Sequence, residues 1–287
     1  MPFAGSLNDL IAALDLERIE VDLFRGHSPE SAWQRVFGGQ VIAQALAAAV
    51  QTVEDRYCHS LHAYFLRPGD TKAPILYEVD RARDGGSFTA RRVVAIQHGR
   101  QIFNMAASFQ RDEVGLDHQD EMPHVPPPEG LPTERELRLE VLDKIPERYR
   151  VYFEREWPIE LRPVDPQDLL NPIEGDPHQA IWLKTPGRIP ADRALHQTIL
   201  AFVSDVTLLG TATRPHAVSF VNPKMQAASL DHAMWFHRPF QVDDWLLYTQ
   251  TSPSASGARG FSSGKIFSRD GRLVASVAQE GLIRLHD

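Results

Sequence analysis

His62-Ala63-Tyr64-Phe65-Leu66-Arg67-Pro68 returns further along the chain as His232-Ala233-Met234-Trp235-Phe236-His237-Arg238-Pro239, with one residue inserted in the second copy. The echo extends past the prolines. Tyr77 answers Tyr248, Ser87-Phe88 answers Gly260-Phe261, and the turn His98-Gly99-Arg100 answers Asp270-Gly271-Arg272. The offset is 171 residues from Tyr77 to Tyr248 and 173 from Phe88 to Phe261. Two copies are too few for a solenoid, so the repeat reads as a duplicated domain.

Upstream of each copy lies a helical pattern. Val41, Ile42, Ala45, Leu46 and Ala49 recur at helical spacing after Gly38-Gly39, which predicts a helix over Val36–Val50. Leu195, Ile199, Phe202, Val203 and Val206 form one apolar stripe, which predicts a second over Arg193–Leu208 with Asp192 as its N-cap. Alternating strands follow in both copies, broken at His98-Gly99 and Asp270-Gly271. One apolar helix against a mostly antiparallel sheet, twice over, is an α+β architecture. Between the copies, Met122 to Pro132 carries five prolines and reads as an extended spacer with little that could pack. A charged stretch over 133–150 follows, with a surface helix expected in it. The expected division is residues 1–115, a linker over 116–150, and residues 151–287.

Composition narrows the function. With 43% hydrophobic and 24% charged residues, the 287-residue chain is an ordinary globular protein. A net charge of −8 argues against a dedicated nucleic-acid binder, though local arginines can still hold an anion. Cys58, the single cysteine, rules out an internal disulfide and a cysteine zinc site. Met1 to Asp15 lacks a secretory pattern, no apolar run approaches the ~20 residues of a membrane span, and the chain ends Arg284-Leu285-His286-Asp287 rather than Ser-Lys-Leu. The expected location is therefore cytoplasmic, with no membrane partner.

Gly260-Phe261-Ser262-Ser263-Gly264 matches G-x-S-x-G, the nucleophile elbow of serine hydrolases. That motif needs a strand-to-helix turn and an acid and histidine downstream. Here it falls in an alternating strand, with only Asp270, His286 and Asp287 after it. A serine hydrolase at Ser262 stays as a weak alternative. No histidine pattern suits a metal, and glycine-rich nucleotide loops are absent. His62 and His232 hold matching positions, which favours packing over catalysis, and His59 is a possible general base more simply read as a strand histidine.

Longer strings carry a resemblance. Ser204-Asp205, Ser229 through Phe240, Ser254 through Phe261 and Val277-Ala278-Gln279-Glu280-Gly281 resemble the acyl-CoA thioesterase II family, as do Phe24-Arg25-Gly26, Val36 through Gln40 and His62 through Asp70. The resemblance covers nearly the whole chain and thins in the proline-rich linker. It implies a tandem, or double, hot-dog fold, each unit an antiparallel sheet wrapped around one long helix. It implies hydrolysis of acyl-CoA to free fatty acid and CoA, with no cofactor and no metal. The family's catalytic trio of aspartate, threonine or serine, and glutamine falls on Asp205, Ser229 and Gln279. Serine where many relatives have threonine keeps the hydroxyl and loses the methyl that stiffens χ1.

Read alone, these positions leave alternatives open. Asp205 lies one step past the apolar stripe, in line with Thr198 and Ala201, and by itself reads as a solvated helix aspartate. Gln279 shares its strand face with Leu273, Ala275 and Val277, so a buried amide and a sheet-edge glutamine are comparable readings. Asp231 is a competing acid. In the implied mechanism Asp205 is the general base, Ser229 and Gln279 fix the water, and Gly38-Gly39 are candidate oxyanion donors. Arg67, Arg91, Arg92, Arg238 and Arg259 could meet the anionic CoA or serve as surface salt bridges. Rival readings are a non-catalytic acyl-CoA-binding module and a dehydratase, the latter lacking its histidine motif. Open sheet edges lead us to expect a homo-oligomer, a dimer or tetramer.

Overall fold

Alternating apolar and polar residues become strands, and the apolar stripes become helices buried beneath them. The structure, a computed structural model, describes residues 5–29, 35–145 and 147–286. Met1 to Ala4 and Asp287 lie outside that range. The first half runs α1 (Leu7–Leu14), β1 (Glu17–Glu20), β2 (Leu23–Gly26), α2 (Gly38–Val50), β3 (Tyr57–Phe65), β4 (Ile75–Asp84), β5 (Phe88–Gln97) and β6 (Arg100–Gln110). After α3 (Glu134–Glu140) and α4 (Glu147–Glu154) comes the second: β7 (Glu160–Pro163), β8 (His178–Lys184), α5 (Arg193–Thr211), β9 (Met225–Ser229), β10 (Asp231–Phe236), β11 (Leu246–Ser256), β12 (Arg259–Ser268) and β13 (Leu273–Leu285).

Among the described residues the thirteen strands form one antiparallel sheet in the order β1-β2-β4-β5-β6-β3-β10-β13-β12-β11-β8-β7, with β9 added beside β13. The order reads the same from either end: each half places its strands identically, and the halves meet where β3 pairs with β10. The helices are buried nearly all round, as expected of a helix enclosed by other elements. α2 touches β2 to β6, α5 touches β3 and β10 to β13, and the two helices pack on each other. This is the double hot-dog arrangement. Asp192 caps α5 as expected, accepting from the Ala194 N–H at 2.9 Å. Among the described residues no helix is long and apolar enough to cross a membrane.

The register at the seam corrects the repeat alignment. His62 pairs with Ala233, flanked by Leu61 with Met234 and Ala63 with His232. Leu61, Ala63, His232 and Met234 are buried, whereas His62 is exposed, so His62 and His232 do not correspond. An ungapped offset of 171 fits instead: Phe65 on Phe236, Arg67 on Arg238, Pro68 on Pro239, with His62 pairing its own counterpart. Because side chains alternate, a one-residue slip would have turned each buried face outward. The same offset puts Phe88 on Arg259, not on Phe261. Past the β12–β13 turn the offset becomes 172, since His98-Gly99 is a two-residue turn with both φ positive while Arg269 to Gly271 is one residue longer.

The proline-rich spacer also differs from expectation. Met122, Val125 and Leu131 pack on Trp182, Leu247, Phe267 and Leu273, on the outer face of the second half. Backbone carbonyls of this strap are used as acceptors, Pro126 by Trp182 Nε1 at 2.9 Å and Pro128 by Arg162 at 2.8 Å. Gln119 lies across the β12–β13 turn, its amide donating to Gly271 and its Oε1 accepting from the Leu273 N–H. Three apolar side chains among the prolines suffice to anchor the extended chain.

Candidate active site

α5 carries Asp205 into the interior, where it is 6% exposed. That removes the reading of a solvated helix aspartate. Its Oδ1 accepts from Ser229 Oγ at 2.9 Å and from Gln279 Nε2. The third donor is the backbone N–H of Gly39, from the first turn of α2 in the other half. Burial pushes the Asp205 carboxyl up to about 6 although all three hydrogen bonds favour the anion. Desolvation wins.

Strand geometry explains how the partners arrive. Gln279 lies on the inward face of β13 and is 1% exposed, so the amide occupies an apolar-type position as the alternation indicated. Ser229 lies before the Trp-Phe strand. It closes β9, opposite Gly281 on β13, and Leu230 separates it from β10. α2 approaches because glycine permits it: a Cβ on Gly38 would lie 2.7 Å from Asp205 Oδ2, and one on Gly39 2.3 Å from the Phe202 carbonyl oxygen. No side chain caps this helix end, so its first N–H groups and the positive end of its dipole face the carboxylate. Gly39, named beforehand as an oxyanion donor, bonds the carboxylate here. A backbone donor supplied by tertiary packing leaves no mark in the sequence beyond the glycines.

The other candidates find structural partners. Asp231 is half-buried and accepts from the Glu280 N–H at 2.7 Å, tying β10 to β13. His232 is buried beside Ser204, whose hydroxyl already donates to the Ala201 carbonyl, so the ring donates through Nε2. Burial drives its pKa down to about 3, which keeps it neutral. His59 meets Ser108 at 2.8 Å and packs edge-on against Phe88. Ser262 is fully buried in the middle of β12, on no strand-to-helix elbow, which removes the serine-hydrolase alternative. Arg91 is buried against Thr52 and Asp84, Arg67 donates to the Gln101 carbonyl, Arg238 reaches Asp117 in the strap, and Arg259 pairs with Glu280. Among the described residues, no three His, Cys, Asp or Glu side chains converge as a metal site would require.

Residues 27–110 match the acyl-CoA thioesterase N-terminal domain, and residues 149–282 match the acyl-CoA thioesterase family. Acyl-CoA thioesterase 2 of Haemophilus influenzae is 44% identical over 285 residues, 98% of this chain and 99% of that one. The chain belongs to the acyl-CoA thioesterase family. This thioesterase is also similar to acyl-coenzyme A thioesterase 8 of Mus musculus, 44% identical over 98% of the chain and 91% of the relative. Among solved structures, acyl-CoA thioesterase II of Mycobacterium marinum covers 98% of both chains at 44% identity and a TM-score of 0.77. A hot-dog protein from Alicyclobacillus acidocaldarius, 19% identical over 98% of both chains, has the same TM-score and shares the fold. The thioesterase is thus a hydrolase of the double hot-dog type.

Proposed function

We propose that the chain hydrolyses acyl-CoA to free fatty acid and CoA with a water activated by Asp205 and held by Ser229 and Gln279. One observation carries this reading: a buried carboxylate takes hydrogen bonds from both side chains on the same oxygen. Neither side chain bonds Oδ2, on the Gly38 side, and that oxygen takes the proton of the attacking water in this reading. A carboxyl raised to about 6 is mostly ionised at neutral pH and is a stronger base than an exposed aspartate. Water adds to the thioester carbon as its proton passes to Asp205. The α2 N-terminus offers positive potential to the oxyanion, whose collapse expels the CoA thiolate, and the proton returns from Asp205. Atoms balance with no covalent enzyme intermediate.

The proposed segments divide the work. Residues 1–115 supply α2, 116–150 the strap, and 151–287 the trio. A homo-oligomer is part of this reading, supported by a sheet that ends in the solvated strand β1 and by exposed Tyr64, Phe88 and Phe261. Light scattering that gave a monomer at all working concentrations would remove it. The test of the chemistry is steady-state thiol release from short- to long-chain acyl-CoAs by Ser229→Ala, Gln279→Ala and the double variant. Both single variants should lose turnover, and the losses should not add, because the two side chains position one water. Binding without turnover in the native chain would support a non-catalytic module instead.

A further inference from the structure

We infer that Ser262 is a positioning residue for the thioesterase reaction, acting through the Gln279 amide. The inference rests on the proposed role of Gln279. Ser262 on β12 stands directly opposite Gln279 on β13, and both face inward. Ser262 is 0% exposed and Gln279 is 1% exposed. Among the described residues, Ser262 Oγ and Gln279 Oε1 are both buried polar atoms without a hydrogen-bond partner.

The two atoms are complementary. A hydroxyl is a donor that can rotate, and an amide oxygen is an acceptor. Directly opposed residues of an antiparallel pair have Cβ atoms ~4.5–5.5 Å apart, within reach of a small χ adjustment. Buried polar groups normally find partners, and the strand pairing sets these two residues side by side.

The consequence concerns the amide's orientation. Gln279 serves the site only with its NH₂ end toward Asp205, where Nε2 donates to Oδ1. Flipped, the amide would turn its oxygen on the carboxylate and withdraw a donor from it. A hydroxyl donating to Oε1 favours the productive orientation and penalises the flipped one. The relay runs from the Ser262 O–H to Gln279 Oε1, and from Gln279 Nε2–H to Asp205. In the first half the same two opposed positions are Arg91 and Ala107, so hydroxyl and amide face one another only where the trio stands. The serine of the G-x-S-x-G string thus has a use unrelated to nucleophilic attack.

The experiment measures kcat and KM for octanoyl-CoA in Ser262→Ala, Ser262→Thr, Gln279→Ala and the Ser262→Ala/Gln279→Ala double variant, with thermal melts. Ser262→Ala should lower kcat about tenfold, the size of one lost hydrogen bond, and leave KM within about twofold. Ser262→Thr keeps the hydroxyl and should stay near native kcat. In the Gln279→Ala background, Ser262→Ala should change nothing further. Native kcat in Ser262→Ala, an equal loss in both backgrounds, or a Ser262→Thr variant that melts normally but is as slow as Ser262→Ala would overturn the inference alone. Native kcat in Gln279→Ala would overturn the trio reading and this inference with it.

Discussion

Laid over one another, the two halves of the sheet share a scaffold and almost none of the chemistry. Tyr77 and Tyr248 are both fully buried, and each hydroxyl reaches the central helix of its own half, at Gln44 Oε1 and the Ser204 carbonyl. Arg67 and Arg238 both donate to the backbone of the neighbouring strand, at Gln101 and Leu273. At the site the correspondence ends. Cys58 stands opposite Phe109 where Ser229 stands opposite Gly281, and Ala107 replaces Gln279. α2 carries no carboxylate anywhere along Gly38–Val50. Strand β3 runs unbroken through Cys58, with only a register shift, where the second half divides into β9 and β10. Packing is repeated; the reactive side chains are not. The first half's contribution to the site is a backbone N–H at Gly39 and the room that two glycines leave.

If that contrast holds, the largest effect should come from the one acid. Asp205→Asn is near-isosteric but cannot take a proton, so kcat should fall by ~10²–10⁴-fold with KM little changed. The native enzyme should lose kcat/KM as pH falls through about 6, where the carboxyl protonates. Stability should move the other way. The folded value lies above the unfolded one, so the carboxyl's stabilising contribution is full below about pH 4 and is lost as pH rises through 6. A carboxyl raised to about 6 by burial costs the folded state about 3 kcal/mol when ionised, so Asp205→Asn should melt higher than native at pH 8, with the gap closing near pH 4. A pH profile without an acidic limb near 6, or a variant that melts lower at pH 8, would contradict the buried-base reading.

A smaller effect is expected from the first half's backbone. The Cβ of Gly39→Ala would fall 2.3 Å from a backbone oxygen of α5, which cannot yield without separating the helices. Overpacking of this kind costs about 1–3 kcal/mol, and the melting temperature should drop accordingly. Turnover should fall more than about tenfold in the surviving folded fraction, since the N–H retreats from Asp205. Unchanged kcat in a correctly melting variant would mean that the second half holds its carboxylate unaided. The smallest effect belongs to Cys58→Ser. It installs the hydroxyl of Ser229 at the corresponding position, but Ala107 stands in place of Gln279 and α2 carries no carboxylate, so kcat should stay within about twofold. Burial raises the Cys58 thiol and keeps it unreactive, so thiol-modifying reagents should also spare activity in the folded protein.

Much of this was legible from alternation and helical spacing. The two helices appear within two or three residues of their expected ends, because their stripes are long and the Asp192 cap is explicit. The register at the seam is masked in the sequence for a definite reason: the identity of His62 with His232 suggests an inserted residue, whereas equivalent residues must face the same way. Without the inserted residue, arginine and proline align on their own kind and buried positions match buried ones. The strap's packing is hard to see in the sequence because its three apolar anchors are scattered among prolines. The trio rests on the family resemblance, since a lone aspartate, serine and glutamine carry no local signal, and the glycine pair is the one mark of the Gly39 N–H, without saying that it meets a carboxylate.

The seam has one more consequence, for how the chain reaches its active form. Each half can pair β4 with β5 and β5 with β6, or β11 with β12 and β12 with β13, through short local turns. Joining β3 to β10 brings together residues as distant as His62 and Ala233. Contacts of such separation carry a loop-closure entropy that local hairpins avoid, so they form late. Because Gly39 and Asp205 come from opposite sides of that closure, catalysis reports only the finished molecule. On refolding, sheet signal should return first, and thiol release should lag behind it until the halves have docked.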